Sequence, residues 1–228
     1  MGTLYLVRHG QASFGADDYD QLSDLGQRQS LRLGQYLRAR HGDAWGLDAV
    51  LTGTLRRQRQ TWEGIAAGAG LDTPRTEWPG LNEYDSHAVI AAIHPEPLPK
   101  PDTPELYRQH FRLLREGLQA WMDGRVQPVG MPSYADFLAG VVGALDHVRG
   151  LQGGENGRVM IVSSGGPIAT AVGHVLGAPT SASIELNLRI RNSAVTEFQF
   201  TPKRHQLLTY NTLPHLDAPE YEDWVTYA

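Results

Sequence analysis

The chain has 228 residues, 41% hydrophobic and 20% charged, which suits one large domain or two small ones and excludes disorder as its general state. Its 20 Lys and Arg against 25 Asp and Glu leave a formal charge of −5, a poor balance for a general nucleic-acid or acidic-membrane binder. With no cysteine, disulfides, thiolate metal sites and cysteine nucleophiles are excluded. No run reaches the roughly 18 apolar residues of a membrane helix. The opening Met-Gly-Thr-Leu-Tyr-Leu-Val-Arg-His-Gly has no basic leader and too short an apolar region for a signal peptide, so a cytoplasmic protein is expected.

Residues 4–7, Leu-Tyr-Leu-Val, read as a buried strand that delivers Arg8-His9-Gly10 to its C-terminal end. Ser23 is placed to cap a helix running to about Arg40, with Leu25, Leu31, Leu33 and Leu37 on its apolar face. A second strand over 49–52, a helix over about 55–67 and a strand near 73–78 follow. Pro95, Pro97, Pro99, Pro101 and Pro104 then exclude a helix interior or central strand. A helical pattern on Leu106, Phe111, Leu114, Leu118 and Trp121 comes next. The stretch at about 89–130 is expected to be an inserted lid within a single domain 1–228, being too short to bury much of its own surface.

Ser133 offers a cap for a helix to about Val148, 159–162 reads as another buried strand, and Gly165-Gly166-Pro167 opens a helix that ends near Gly177. Strand-like character returns at 186–191, 194–200 and 206–210, the last two joined across Pro202-Lys203-Arg204. The alternation implies an α/β fold, a three-layer, mostly parallel central sheet with helices on both faces. The strand-like tail offers an edge for a homodimer. Ligands in such sheets sit beyond the carboxyl ends of the strands. There this chain carries Arg8-His9-Gly10 and Ser163-Ser164-Gly165-Gly166.

A histidine just past a buried strand has a rigid support, and an arginine beside it offers a fork of donors for phosphate or carboxylate. The tripeptide reads equally well as a polar turn. Arg56, Arg57 and Arg59 crowd the start of the second helix, where the helix dipole prefers negative charge; an anion held at that N-terminus would resolve the conflict. Only one or two of the three need point inward. Glu83, in Leu81-Asn82-Glu83-Tyr84-Asp85, carries little weight unaided.

Together these pieces resemble the histidine phosphatase superfamily, the phosphoglycerate-mutase-like proteins, over nearly the whole chain. Leu6-Val7-Arg8-His9-Gly10-Gln11 is similar to the opening motif, and Leu22-Ser23-Asp24-Leu25-Gly26 with Gln29 to its L-[ST]-x-x-G-x-x-Q stretch. Residues 54–61, Thr-Leu-Arg-Arg-Gln-Arg-Gln-Thr, are similar to P-L-x-R-A-x-Q-T, which aligns Arg57 with the phosphate-binding arginine. Leu81-Asn82-Glu83 resembles the segment carrying the acid, and 211–216, ending Pro214-His215-Leu216, the closing N-x-x-x-H-L. The resemblance implies that His9 attacks a phosphoryl group to give a phosphohistidine, with Glu83 as general acid and base. Arg8, Arg57, Ser164, Gly165 and Gln11 would hold the phosphoryl oxygens. It implies no metal and no cofactor, and a small-molecule phosphomonoester as partner.

The family's second histidine stands where this chain has Ser164, which is shorter and neutral but still a donor. His87 is a better candidate to replace it than His174, which lies inside a predicted helix. The mutases' E-R-H-Y-G is Glu83-Tyr84-Asp85-Ser86-His87 here, and Gly15 replaces their asparagine; hydrolysis is therefore expected rather than mutase activity. A phosphorylated-ligand binder with reduced turnover is the alternative. A serine hydrolase fits poorly, because the nucleophile elbow needs a glycine two residues before the serine. A metal hydrolase fits worse, since the nine histidines show no H-x-H or H-E-x-x-H spacing.

Overall fold

Four consecutive apolar residues, Leu4 to Val7, are buried because their strand is hydrogen-bonded on both edges and covered on both faces. The structure, a computed structural model, describes residues 1–13, 20–99, 102–151 and 157–227. In chain order the elements are β1 (Gly2–Arg8), α1 (Asp24–His41), β2 (Ala49–Thr52), α2 (Arg56–Ala69), β3 (Arg75–Glu77), α3 (Ser86–Ala91), α4 (Pro104–Met122) and α5 (Tyr134–Gly150). They continue as β4 (Arg158–Ser163), α6 (Gly165–Leu176), α7 (Thr180–Asn187), β5 (Val195–Thr201) and β6 (Arg204–Thr212). Among the described residues six strands form one sheet in the order β3-β2-β4-β1-β5-β6. The first four in that order run parallel, and the β5–β6 hairpin is added antiparallel at one edge. This is the expected mostly parallel sheet, with helices on both faces.

Period-two alternation sorts the side chains. Leu4 and Leu6 of β1 with Val159 and Ile161 of β4 face the core built by α3 to α7. Tyr5 and Val7 with Met160 and Val162 face α1 and α2. The register pairs Val7 with Val162 and Arg8 with Ser163. His9 and Ser164 are therefore the next cross-strand neighbours, on the α1–α2 side. Caps stand where expected: Ser23 accepts from the Gly26 N–H, Ser133 from the Asp136 N–H, and Gly177 closes α6 with φ 62°. Among the described residues no helix is long and apolar enough to cross a membrane.

Three expectations need correction. Residues 186–191 are not a strand: Leu186 and Asn187 lie in α7 and 188–191 is irregular backbone, where Leu-Arg-Ile-Arg buries Ile190 alone. The inward face of α1 is Gly26, Gln29, Ser30, Leu33, Gly34 and Leu37, and Leu31 is exposed. In α4 the C-terminal half, Leu113 to Trp121, is embedded in the main core while Phe111 is exposed. Pro101 of the proline cluster lies outside the described residues.

The polar, small face of α1 follows from how closely it meets α2. A Cβ on Gly34 would fall 2.1 Å from the Ile65 carbonyl oxygen, so the helices touch backbone to backbone. Gly34→Ala is expected to destabilise the protein. Overpacking costs about 1–3 kcal/mol, and the helix propensity of alanine returns no more than about 1 kcal/mol. Chemical denaturation reads the difference; an unchanged midpoint would show that the helices separate freely.

Candidate active site

His9 sits just beyond β1 with its backbone held on both sides. Its N–H donates to the Ser163 carbonyl at 2.9 Å, and its carbonyl accepts from the Ser193 N–H at 3.2 Å and Asn192 Nδ2 at 3.3 Å. The ring is buried, with 4% of the residue exposed. Nδ1 is 2.7 Å from the Gly10 carbonyl oxygen, and Arg57 Nε lies 3.2 Å from Nε2. A carbonyl can only accept and a guanidinium can only donate. The proton is therefore on Nδ1 and the lone pair on Nε2. Burial, then the charges of Arg57 and Arg8, push the imidazolium well below the usual 6.5, so the ring is neutral at pH 7.

Of the three arginines at the start of α2, one points inward. Arg57 is 8% exposed; Arg56 is exposed, and Arg59 lies 3.5 Å from Glu77. The anion that this N-terminus calls for comes from the chain itself. Asp20 Oδ2 accepts from the Arg56 N–H at 2.8 Å, and Oδ1 accepts from Arg57 Nη1 at 2.8 Å. Asp20 was not singled out from the sequence, although three arginines without a nearby acid were a signal for it. Arg8 Nη1 donates to the Ile190 carbonyl at 2.5 Å and the Tyr227 carbonyl at 2.8 Å, which orients the guanidinium.

Glu83 faces the first turn of α6. Its carboxyl accepts from the Gly166 N–H at 3.1 and 3.2 Å. Only glycine allows that approach, since a Cβ at 166 would lie 2.2 Å from Glu83 Oε1. Burial raises the Glu83 pKa above 4.5, against the opposing pull of the Gly166 N–H and of Arg57 and Arg8. Beside it the Tyr84 hydroxyl accepts from Asn187 Nδ2 at 2.7 Å, and its ring packs on Trp121. Ser164 is fully buried, and its Oγ accepts from Gln58 Nε2 at 2.9 Å. Gly165 opens α6 beside Asn187 and Ile190. Gln11 turns its Oε1 to the Ser23 hydroxyl at 2.8 Å.

His87 does not approach this group: its side chain is 93% exposed beside Asp85. His174 is exposed near the far end of α6. Gly15 lies outside the described residues. The Ser163 hydroxyl donates to the Leu81 carbonyl at 2.7 Å, and among the described residues neither this hydroxyl nor that of Ser164 meets a histidine ring.

The remaining motif residues brace the loops. Gly10 N–H donates to Thr61 Oγ1 at 3.0 Å, and Gln11 N–H to Gln29 Oε1 at 2.8 Å. Asn211 accepts the Arg191 N–H at 2.8 Å and donates to the Arg189 carbonyl at 2.9 Å, closing the turn whose Ile190 carbonyl holds Arg8. His215 Nε2 meets Ser193 Oγ at 2.9 Å, behind the residue whose N–H supports the His9 carbonyl. Gln58, Asn192 and Ser193 were missed in sequence because their partners lie far away along the chain.

A neutral buried imidazole with its lone pair toward a guanidinium, in a site that also holds a carboxyl whose pKa burial raises, is suited to accepting and releasing a phosphoryl group. The chain belongs to the histidine phosphatase superfamily (branch 1), whose family model matches residues 4–213. It is 29% identical over 200 residues to a protein of Erwinia tasmaniensis named "probable phosphoglycerate mutase GpmB", covering 85% of this chain and 82% of that one. Its fold is similar to YhfR of Bacillus stearothermophilus, with TM-score 0.67 and 18% identity over 94% of this chain and 99% of the other. It is also similar to phosphoserine phosphatase of Entamoeba histolytica, solved with 3-phosphoglyceric acid, with TM-score 0.65 and 21% identity over 95% and 100%. Membership of this family supports a phosphatase-type function.

His215 gives this brace a pH dependence. Burial, with a smaller effect of Arg32, pushes it down from 6.5 to about 3. The unfolded chain takes up a proton near 6.5 that the folded protein refuses, so the stability is complete above that pH and is lost as pH falls toward 3. At two pH units below 6.5 the loss is about 3 kcal/mol. His215→Gln, which cannot titrate, is expected to lose less stability than wild type between neutral and acid pH in denaturant titrations. Equal losses would show that this imidazole does not control the acid limb.

Proposed function

We propose that the protein is a metal-independent phosphomonoester hydrolase working through a phosphohistidine on His9. The observation that carries this reading is the single ring state its partners permit: proton on Nδ1, lone pair on Nε2. Nε2 attacks phosphorus, the bond to the leaving oxygen breaks, and Glu83 gives that oxygen its proton. The Glu83 carboxylate then takes a proton from water, the resulting hydroxide attacks phosphorus, and the P–N bond breaks to release phosphate and regenerate His9.

An arriving phosphoryl group competes with Nε2 and with Asp20 for the Arg57 fork, freeing the lone pair as it binds. Arg8, Arg57, Ser164, Gly165 and Gln11 surround that group in this reading, and the two guanidiniums supply the charge a metal would otherwise provide. Tyr84, bonded to Asn187, stands where the mutase pattern has an arginine, which supports hydrolysis over mutase activity. The region at about 89–130 is proposed to shape the substrate face.

A binder of phosphorylated ligands is the second reading, favoured by the Arg57 N–H on the nucleophilic nitrogen and by serine at 164. Hydrolysis of p-nitrophenyl phosphate with a chelator present, from about pH 4 to about pH 8, separates the two. Turnover is expected to survive the chelator and to vanish in His9→Ala; no turnover above that blank would put the binder first.

Two opposed pKa shifts set the profile. Activity rises with pH through the lowered His9 value, where the ring becomes neutral, and falls through the raised Glu83 value, where the acid loses its proton. A bell-shaped profile is expected, bounded on its acid limb by His9 and on its alkaline limb by Glu83. Glu83→Gln should lose roughly 10²–10⁴-fold in kcat/KM on an alkyl phosphate and much less on p-nitrophenyl phosphate, whose leaving group needs no proton. Equal losses on both would remove Glu83 as the proton donor.

A further inference from the structure

Gln58 is fully buried one residue after Arg57, and its amide has a forced orientation. Its Oε1 accepts from the Leu55 N–H at 3.3 Å, while Nε2 donates to the Leu81 carbonyl at 3.0 Å and to Ser164 Oγ at 2.9 Å. The Leu55 N–H can only donate and the Leu81 carbonyl can only accept, so oxygen and nitrogen cannot exchange places. Both amide protons are therefore committed, and Ser164 Oγ is the acceptor in its bond with Gln58. The Ser164 hydroxyl proton must be directed away from Gln58. Among the described residues no protein acceptor takes it, although the side chain is fully buried. Ser164 is the cross-strand neighbour of His9 on the same side of the sheet, because β1 and β4 pair Arg8 with Ser163.

The family pattern has alanine at the position of Gln58 and histidine at that of Ser164, so the two departures meet in space and share a hydrogen bond. We infer that Gln58 is a positioning residue: it holds Ser164 as a one-directional hydrogen-bond donor toward the phosphoryl group at His9, and the pair together replaces one imidazole. This deepens the hydrolase reading and rests on His9 being the phosphate site. The long amide fills the space between α2 and β4 that a serine leaves, and the serine supplies the proton that the amide, already committed twice, cannot.

The test is the affinity for inorganic phosphate, measured by calorimetry on the intact protein for wild type, Ser164→Ala, Gln58→Met and the double variant, with p-nitrophenyl phosphate turnover alongside. Methionine keeps the length of the side chain and removes the amide. Each single variant is expected to bind phosphate about tenfold more weakly, and the double variant no more weakly than either. Losses that multiply, or a Gln58→Met protein that binds as wild type, would overturn the inference.

Gln58→Glu carries the test if the methionine variant does not fold. A carboxylate at 58 draws the Ser164 proton to itself, so phosphate affinity relative to wild type should fall at neutral pH and recover as the carboxyl takes up a proton. A pH-independent deficit would count against the pair. Coupled phosphate binding without turnover would sink the hydrolase reading and leave this one standing. Turnover with independent effects would do the reverse, and a wild-type protein that fails to bind phosphate would overturn both.

Discussion

A guanidinium N–H aimed at an imidazole nitrogen leaves that imidazole only one protonation state. The Arg57 contact with His9 Nε2, 3.2 Å long and buried, could not exist with a protonated ring, since two donors would face each other in a low-dielectric interior. Other features of the site follow from keeping this pair in register. The Gly10 carbonyl receives the Nδ1 proton. Arg57 needs an acceptor for its remaining charge, which Asp20 supplies.

Seen this way, the sequence motifs are mostly about holding loops rather than about chemistry. Thr61 accepts the Gly10 N–H and donates to the Arg57 carbonyl, tying the loop after β1 to the arginine's own helix with one hydroxyl. Gln29 links the Gln11 N–H to the Trp224 carbonyl and the Thr226 hydroxyl. That bond brings the last residues of the chain over the same loop, close to where the Tyr227 carbonyl holds Arg8. Asn211 and His215 brace the opposite side through the 189–193 segment. Ser193 and Asn211 adopt φ values of 55° and 57°, left-handed backbone whose cost of about 1–3 kcal/mol each is met by these bonds.

Burial does opposite things to the two central groups. It disfavours charge on both, lowering the imidazole pKa of His9 and raising the carboxyl pKa of Glu83. Such divergent environments push the pKa values of two titratable groups in opposite directions. The Gly166 N–H moderates the effect on Glu83 by stabilising its carboxylate.

Local chemistry made much of this legible before any coordinates. Strands β1 and β4, the caps at Ser23 and Ser133, the glycine end of α6 and the polar residues beyond each central strand were readable because propensity, capping and period-two burial act between near neighbours in the chain. The motif order likewise brought His9, Arg57 and Glu83 into one expected site. The segment 186–191 misled because alternating Leu-Arg-Ile-Arg carries the signature of a half-buried strand, yet its backbone bonds go to Asn211 and Arg8 instead of a sheet.

The sequence alone thus determined which residues end the central strands and start the helices. Only the tertiary structure decided that Asp20 answers the arginines, that Gln58 reaches Ser164 across 106 positions, and that the ring of His9 is neutral. Those depend on directional bonds and desolvation between groups distant in the chain, and no local pattern encodes which donor will meet which acceptor once the core has closed.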